Sequence, residues 1–319
     1  MDLTEVNNEK PKRILHVLGA LDRGGAEVMI MNIYRHIDRQ AIQFDFVVHT
    51  EEKGAFDDEI RSMGGRIFSV PRFRWKGIFK YRRAWNAFLD DHVNEFIAVH
   101  GHMGSLAAMY LRFAKNTGLF TIAHSHGTGN SPNLTGFLYT VFAYPTRFIA
   151  DFFFACSTAA GISRFGKRIV ASNRFSLVKN AIETDQYAYS PTIRSEMRNS
   201  LGFKNEFVIG HVGRFDILKN HKFILEVFKL ITMKEPTSKL LLVGDGERRS
   251  YIEKLIEDYQ LQDHVVMTGM RSDVPQLLQA MDVFIFPSLA EGLGISLIEA
   301  QASGLPCVAS SAVPEEAKI

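Results

Sequence analysis

Asp282–Ala309 reads DVFIFPSLAEGLGISLIEAQASGLPCVA, and this stretch decides the fold. Val283 to Phe286 is a short apolar run, the mark of a buried strand. A loop with Glu291, Gly292, Leu293 and Gly294 follows, then a helical pattern holding Glu299. Gly304 and Pro306 stop that helix before a further strand near Cys307. Glycines let a ligand approach the backbone closely. A helix start offers unpaired N–H groups and a positive dipole end, which suits an anion. Glu291 and Glu299, eight positions apart, flank that site, so the ligand is expected to carry hydroxyl groups as well as phosphate.

Upstream, the same alternation repeats. RILHVL (13–18), FDFVVH (44–49), RIFSV (66–70), FIAVHGH (96–102), LFTIAHSH (119–126), FFFAC (152–156) and FSLVKN (175–180) read as strands. Helical patterns lie between most of them, at 26–36, 56–63 and 75–91 among others. After residue 184 the alternation pauses, with Ser190-Pro191, several charges and a short helical segment but no strand signal. It resumes with FVIGHVGR (207–214), KLLLVGDG (239–246) and HVVMTG (264–269). Two βα series predict an α/β protein of two Rossmann-like domains facing each other across a cleft, 1–185 and 186–319. The chain stops just after a strand and a turn, so the second domain is expected to be truncated, since a parallel sheet needs covering helices.

Arg214 and Lys219 follow a strand as R-F-D-I-L-K, at the end where α/β sheets bind ligands. A guanidinium and an ammonium there suit a diphosphate, the first by fork geometry and the second as a point charge. Gly24 and Gly25 precede the first helix and would let backbone amides approach a phosphate or sugar, although no G-x-G-x-x-G is present. His124 and His126 end a strand and are candidates for catalysis; His100 and His102 form a similar, weaker pair. No carboxylate or cysteine nearby completes a metal-ligand set, so no metal is expected.

The composition is that of an ordinary globular protein, 46% hydrophobic and 23% charged. A net charge of +2 gives no general polyanion binder, so no nucleic acid is expected. Cys156 and Cys307 sit in apolar runs and read as buried free thiols of a reducing cytoplasm. The N-terminus is polar, unlike a signal peptide, and Pro145, Arg147 and Asp151 break the most apolar region, 134–156. One basic, aromatic segment remains, RFRWKGIFKYRR (72–83). Its Arg72, Arg74, Trp75, Lys76, Lys80, Arg82 and Arg83 suit anionic lipid headgroups, with a plain solvated helix as the alternative; the expectation is a cytoplasmic protein whose peripheral contact, on the first reading, is at the inner face of the cell membrane.

The chain resembles the family 4 glycosyltransferases of GT-B architecture, most of all bacterial exopolysaccharide and capsule enzymes. RILHVLGALDRGGAE, VGRFDILKN, LLVGDGE and the E-x7-E stretch from Glu291 to Glu299 carry the resemblance. It implies metal-independent, cofactor-free, retaining transfer, of hexosyltransferase type, from a nucleotide-diphosphate sugar, with UDP as the default nucleotide. The acceptor would be a polysaccharide or lipid-linked saccharide, served by the first domain, while the second takes the donor. By the resemblance Arg214 and Lys219 neutralise the diphosphate and Glu299 holds the ribose. Glu291 sits by the transferred sugar, amides of Gly292, Leu293, Gly294 and Ile295 contact the donor, and Gly24 and Gly25 lie beside it. The family's catalytic histidine matches either His124 or His126. Asn180-Ala-Ile-Glu183 departs from the common N-G-[VI]-[DE]. The rivals are an epimerase of the same architecture and a catalytically impaired module that only binds sugar nucleotides.

Overall fold

A computed structural model of the chain describes residues 10–22, 24–127 and 134–318. It contains two compact units, Met1–Ala181 and Ile182–Ile319, each a parallel sheet with helices.

The first unit runs β1 (Lys12–Val17), α1 (Gly25–His36), β2 (Ile42–Val48), α2 (Asp57–Ser62), β3 (Ile67–Ser69), α3 (Ile78–His92), β4 (Phe96–Gly101), α4 (Ala107–Asn116) and β5 (Phe120–Ser125). Then come α5 (Leu134–Ala143), α6 (Thr146–Ile149), β6 (Phe152–Ala155), α7 (Thr158–Phe165), α8 (Lys167–Val170) and β7 (Phe175–Leu177). The strands pair in the order β3-β2-β1-β4-β5-β6-β7, every pairing parallel. Parallel strands are covered on both faces, which is why β2 is buried from Gln43 onward instead of alternating. One core joins Val99, Phe153 and Ala123 to Tyr81, Trp85, Tyr110 and Leu111 of α3 and α4. Another joins Phe44 and Phe46 to Ile30, Met31 and Tyr34 of α1.

The second unit runs α9 (Pro191–Ser200), β8 (Val208–Val212), α10 (His221–Thr232), β9 (Lys239–Val243), α11 (Arg249–Asp258), β10 (Val265–Gly269), α12 (Val274–Gln279), β11 (Val283–Phe286), α13 (Ile295–Ala302) and β12 (Cys307–Ala309). Its order is β10-β9-β8-β11-β12, again all parallel. Both orders reverse direction once, between β1 and β4 and between β8 and β11. At such a switch point the two strand-to-helix loops diverge and leave a crevice at the carboxyl ends of the strands.

The structure adds elements that the sequence pattern did not mark. Residues 158–170 form α7 and α8, with the Ser157 hydroxyl accepting from the Ala160 amide at 3.1 Å as N-cap. The short helical segment expected in the pause after residue 184 is α9, and a 3-10 turn, Thr184–Tyr187, precedes it. Arg194 and Arg198 of α9 both reach Asp282 at the start of β11, which ties this segment to the second sheet. Pro145 divides the apolar stretch 134–156 into α5 and α6. Cys156 is buried as expected, but Cys307 is only half-buried, at the head of β12, a three-residue strand. Among the described residues neither cysteine forms a disulfide.

Candidate functional site

The second unit assembles its candidates at the switch point. β8 delivers the loop carrying Arg214 and Lys219, and β11 delivers the loop carrying Glu291. In the first loop Asp216 Oδ1 accepts from the amides of Leu218 and Lys219 at 2.9 and 3.1 Å. This side-chain turn folds R-F-D-I-L-K back on itself and fixes where Lys219 starts. Lys219 Nζ then donates to Glu291 Oε1 at 2.6 Å, with side chains only 18% and 10% exposed. The same ammonium lies 4.7 Å from the centre of the Phe286 ring, at the end of β11. Arg214 is exposed and, among the described residues, has no ion-pair partner.

Gly294 caps α13 in the left-handed region, φ +83°, and a Cβ there would sit 3.0 Å from the Phe286 ring. Glycine is therefore required by conformation and by space. The helix begins at Ile295, and its first amide bonded within the helix is that of Leu297, to the Gly294 carbonyl. The amides of Ile295 and Ser296 thus lie outside the helical ladder. One turn on, Glu299 Oε1 accepts from the Tyr187 hydroxyl at 2.8 Å. Burial pushes the Glu299 carboxyl above its usual range, against the opposing pull of that hydrogen bond. Its second oxygen has no partner among the described residues. Neither Asp216 nor Tyr187 was legible as a site residue, because a turn aspartate and a lone tyrosine carry no spacing signal.

Cavities accompany this unit. One of about 220 Å³ lies beside the β8 loop, lined by Asp216, Asn220, His221 and Arg248 among others. A larger one of about 400 Å³, around Arg194, Arg198 and Asp282, sits at the opposite, amino end of the strands and away from these groups.

In the first unit Gly24 is the extended N-cap of α1 and Gly25 its first residue. The Glu27 carboxylate occupies the space a Cβ on Gly24 would need. The histidines do not remain two separate pairs. Because β1, β4 and β5 are adjacent and His16 is level with His100, His16, His100, His102, His124 and His126 pack ring on ring. Centroids are 4.1 Å apart for His124 and His126, and 4.3 Å for His100 and His102. His100 Nε2 meets His124 Nδ1 at 3.2 Å. Burial drives all five far from protonation: His126 falls to about 4, and His100 to about 3 with help from the nearby His126. His16, His102 and His124 fall well below the ordinary value, burial again coming first. His124 is buried, whereas His126, beyond the end of β5, is half-buried. The sequence reading found no ligand set here, but the fold makes two groups of three, His16–His100–His102 and His102–His124–His126, with ring nitrogens within 4.8 Å. His16 was missed, since a single histidine in a strand usually signals only core.

In the basic segment Arg72, Arg74, Lys76, Lys80, Arg82 and Arg83 are all exposed, as is Phe79 at 83%. Tyr81 instead turns inward, where its hydroxyl pairs with His49 Nε2 at 2.9 Å. The Trp75 side chain lies outside the described ones. Among the described residues no helix is long and apolar enough to cross a membrane.

Comparison with known proteins accords with this arrangement. Residues 23–186 match the model of Glycosyltransferase Family 4, and residues 193–319 that of Glycosyl transferases group 1. The putative glycosyltransferase EpsF of Bacillus subtilis is 34% identical over 318 residues, covering 97% of this chain and 82% of EpsF. The chain belongs to glycosyltransferase family 4. An Escherichia coli protein named as a UDP-Gal:alpha-D-GlcNAc-diphosphoundecaprenol alpha-1,3-galactosyltransferase is 34% identical over 142 residues, 43% of this chain and 37% of that protein. Among solved structures, Anabaena HepE in complex with UDP and glucose superposes with a TM-score of 0.77 at 22% identity, covering 95% of this chain and 81% of HepE. WaaG, a glycosyltransferase involved in lipopolysaccharide biosynthesis, gives 0.73 at 18%, covering 94% and 82%. These likenesses show the GT-B fold, two parallel-sheet α/β domains, for this family 4 chain.

Proposed function

We propose that this glycosyltransferase takes its sugar from a nucleotide-diphosphate donor, UDP by preference, and transfers it with retention to a polysaccharide or lipid-linked saccharide. The observation that carries the reading is the convergence of Arg214, Lys219, Glu291 and the α13 start on one switch point. Arg214 and Lys219 meet the diphosphate and stabilise it as it leaves, an electrostatic role. Lys219 is held by Glu291 in the unliganded chain, so the diphosphate shares or displaces that carboxylate. Glu291 thereby stands next to the phosphate-linked sugar. Glu299 presents its unpartnered oxygen to the ribose hydroxyls, with Tyr187 holding the other. Charge compensation by Arg214 and Lys219 makes a metal ion unnecessary at the diphosphate. Of the two strand-end histidines, His126 is the one we assign to the ligand, because as a residue it is half-buried whereas His124 is buried. Gly24 and Gly25 belong with the substrates of the first unit. HepE has been solved with UDP and with UDP-glucose, and the galactosyltransferase relative is named for a UDP donor and a diphosphoundecaprenol acceptor; both favour the UDP and lipid-linked choices. The exposed cations around Phe79 fit peripheral contact with anionic lipid.

The test is a thermal-shift series with UDP, GDP, ADP and UDP-glucose, since a ligand selective for the folded state raises the melting temperature. UDP is expected to stabilise the chain, and Lys219→Ala and Glu299→Ala are expected to abolish the shift while staying folded. An unchanged shift in both variants would sink the donor-site assignment. Release of glucose from UDP-glucose, followed by anomer analysis, separates retention from inversion and transfer from epimerisation.

A further inference from the structure

Tyr187 ends the 3-10 turn Thr184–Tyr187 and is 7% exposed. The backbone that carries it is held from behind by Gln279, the last residue of α12, which is 3% exposed. Gln279 Nε2 donates to the Ala188 carbonyl at 3.1 Å and, at 3.4 Å, to the Tyr187 carbonyl. Its Oε1 accepts from the Ser190 amide at 3.0 Å. Carbonyls only accept and an amide N–H only donates, so the orientation of this side-chain amide is fixed. One buried glutamine thus satisfies three backbone groups at and just after Tyr187, and the turn is anchored without any help from the Tyr187 hydroxyl.

That hydroxyl goes instead to Glu299 Oε1, at 2.8 Å and 112 positions away. The direction of this bond is fixed as well. An ionised carboxylate only accepts, and burial, followed by the charge of Glu299, pushes the phenol far above its ordinary range, so it keeps its O–H. The same bond favours the ionised carboxyl against the burial that raises it. The last torsion of a glutamate is otherwise broad and roughly two-fold, so a free carboxylate has no preferred direction. With Oε1 occupied, the carboxylate cannot turn without giving up the phenol, and Oε2 is left in one direction. We infer that Tyr187 is a positioning residue: by holding Oε1 it fixes how Oε2 meets the ribose, and it thereby sets the preference for a nucleotide whose ribose carries both hydroxyls. The inference deepens the reading of Glu299 as the ribose contact and rests on it. The competing account makes the hydroxyl a structural tie between the turn and α13. Gln279 already holds that turn, and a phenylalanine ring would fill the same space without burying a polar group.

The test is calorimetric binding of UDP and of 2′,3′-dideoxy-UDP, which lacks both ribose hydroxyls, to the full chain. The wild type should prefer UDP by about tenfold or more, as a hydrogen bond to a charged group is worth. Tyr187→Phe removes only the hydroxyl and should shrink that preference severalfold, by weakening UDP while leaving 2′,3′-dideoxy-UDP unchanged. Tyr187→4-amino-phenylalanine, which restores an N–H donor at the same place, should bring the preference back. A turn that merely loosened would weaken both nucleotides alike, and that result overturns the proposal, as does a preference unaltered by Tyr187→Phe. If Tyr187→Phe does not fold, the second variant still decides, because a preference lost with a donor in place overturns the proposal too. Glu299→Gln separates the two readings. If it leaves the preference intact, Glu299 is not the ribose contact and both readings fall. If it removes the preference while Tyr187→Phe keeps it, only the positioning role falls.

Discussion

Lowering the pH should unfold the first unit steeply, and the histidine cluster sets the window. In the unfolded chain each histidine titrates near 6.5. In the folded unit burial holds His126 at about 4 and His100 at about 3, and His49 is lowered as well, again by burial. Below pH 6.5 the unfolded state therefore binds more protons than the folded state. Stability is fully present above 6.5 and is lost as the pH falls toward the folded values. Each such histidine removes about 1.4 kcal/mol per pH unit once the unfolded group is protonated. His100 and His126 alone give about 3 kcal/mol between pH 6 and pH 5, a large share of the roughly 5–15 kcal/mol that holds a domain. For a unit of this size that corresponds to a fall of about 6–12 °C in melting temperature per pH unit. Carboxylates paired in the fold, such as Asp45 with Arg13 and Arg66, act only at lower pH. The assay is a calorimetric or urea series at fixed ionic strength from pH 7.5 to 4.5. His100→Phe keeps a ring in the stack and removes one titrating group, so its stability should fall less steeply with pH by about 1.4 kcal/mol per unit. A melting temperature flat between pH 6.5 and 5, or an identical slope in His100→Phe, would refute the reasoning.

The Lys219–Glu291 pair should show strong coupling in a double-mutant cycle. Lys219→Met takes the ammonium away from a mostly buried carboxylate and should cost about 2–4 kcal/mol by urea denaturation. Adding Glu291→Gln should recover most of that loss, and strictly additive effects would mean the pair is not formed in solution. Gly294→Ala, forced to φ +83° with its methyl against Phe286, should lose about 1–3 kcal/mol and weaken UDP binding together. Because burial raises the Glu299 carboxyl, UDP-induced stabilisation should decline in mildly acidic buffer, sooner than an ordinary glutamate would dictate. Glu299→Gln should make the weakened shift independent of pH over that range. Charge reversal at Lys76, Lys80, Arg82 and Arg83 should abolish co-sedimentation with vesicles containing anionic lipid, leaving the UDP shift unchanged; retained binding would disprove the peripheral contact.

Much of this protein was legible as a string of residues. Short apolar runs separated by helical periodicity specify parallel strands covered on both faces, and that is local information. The two carboxylates of the Glu291–Glu299 stretch, the Gly294 cap and the R-F-D-I-L-K loop are also local, since each needs only a strand, a turn and a helix start to acquire its place. What the sequence did not hold is which strands become neighbours. Pairing β8 with β11 puts Lys219 against Glu291 across 72 positions of chain, and the 3-10 turn holding Tyr187 meets Glu299 across 112. Pairing β1 with β4 and β4 with β5 turns single histidines into a stacked network. Strand order is settled by the packing of helices on both faces, a property of the whole sheet that no window of sequence contains. So the sequence alone decided the fold class and named the candidate residues of the second unit, while only the tertiary structure paired Lys219 with Glu291 and stacked the histidines ring on ring. Both depend on burial and on partners distant in sequence.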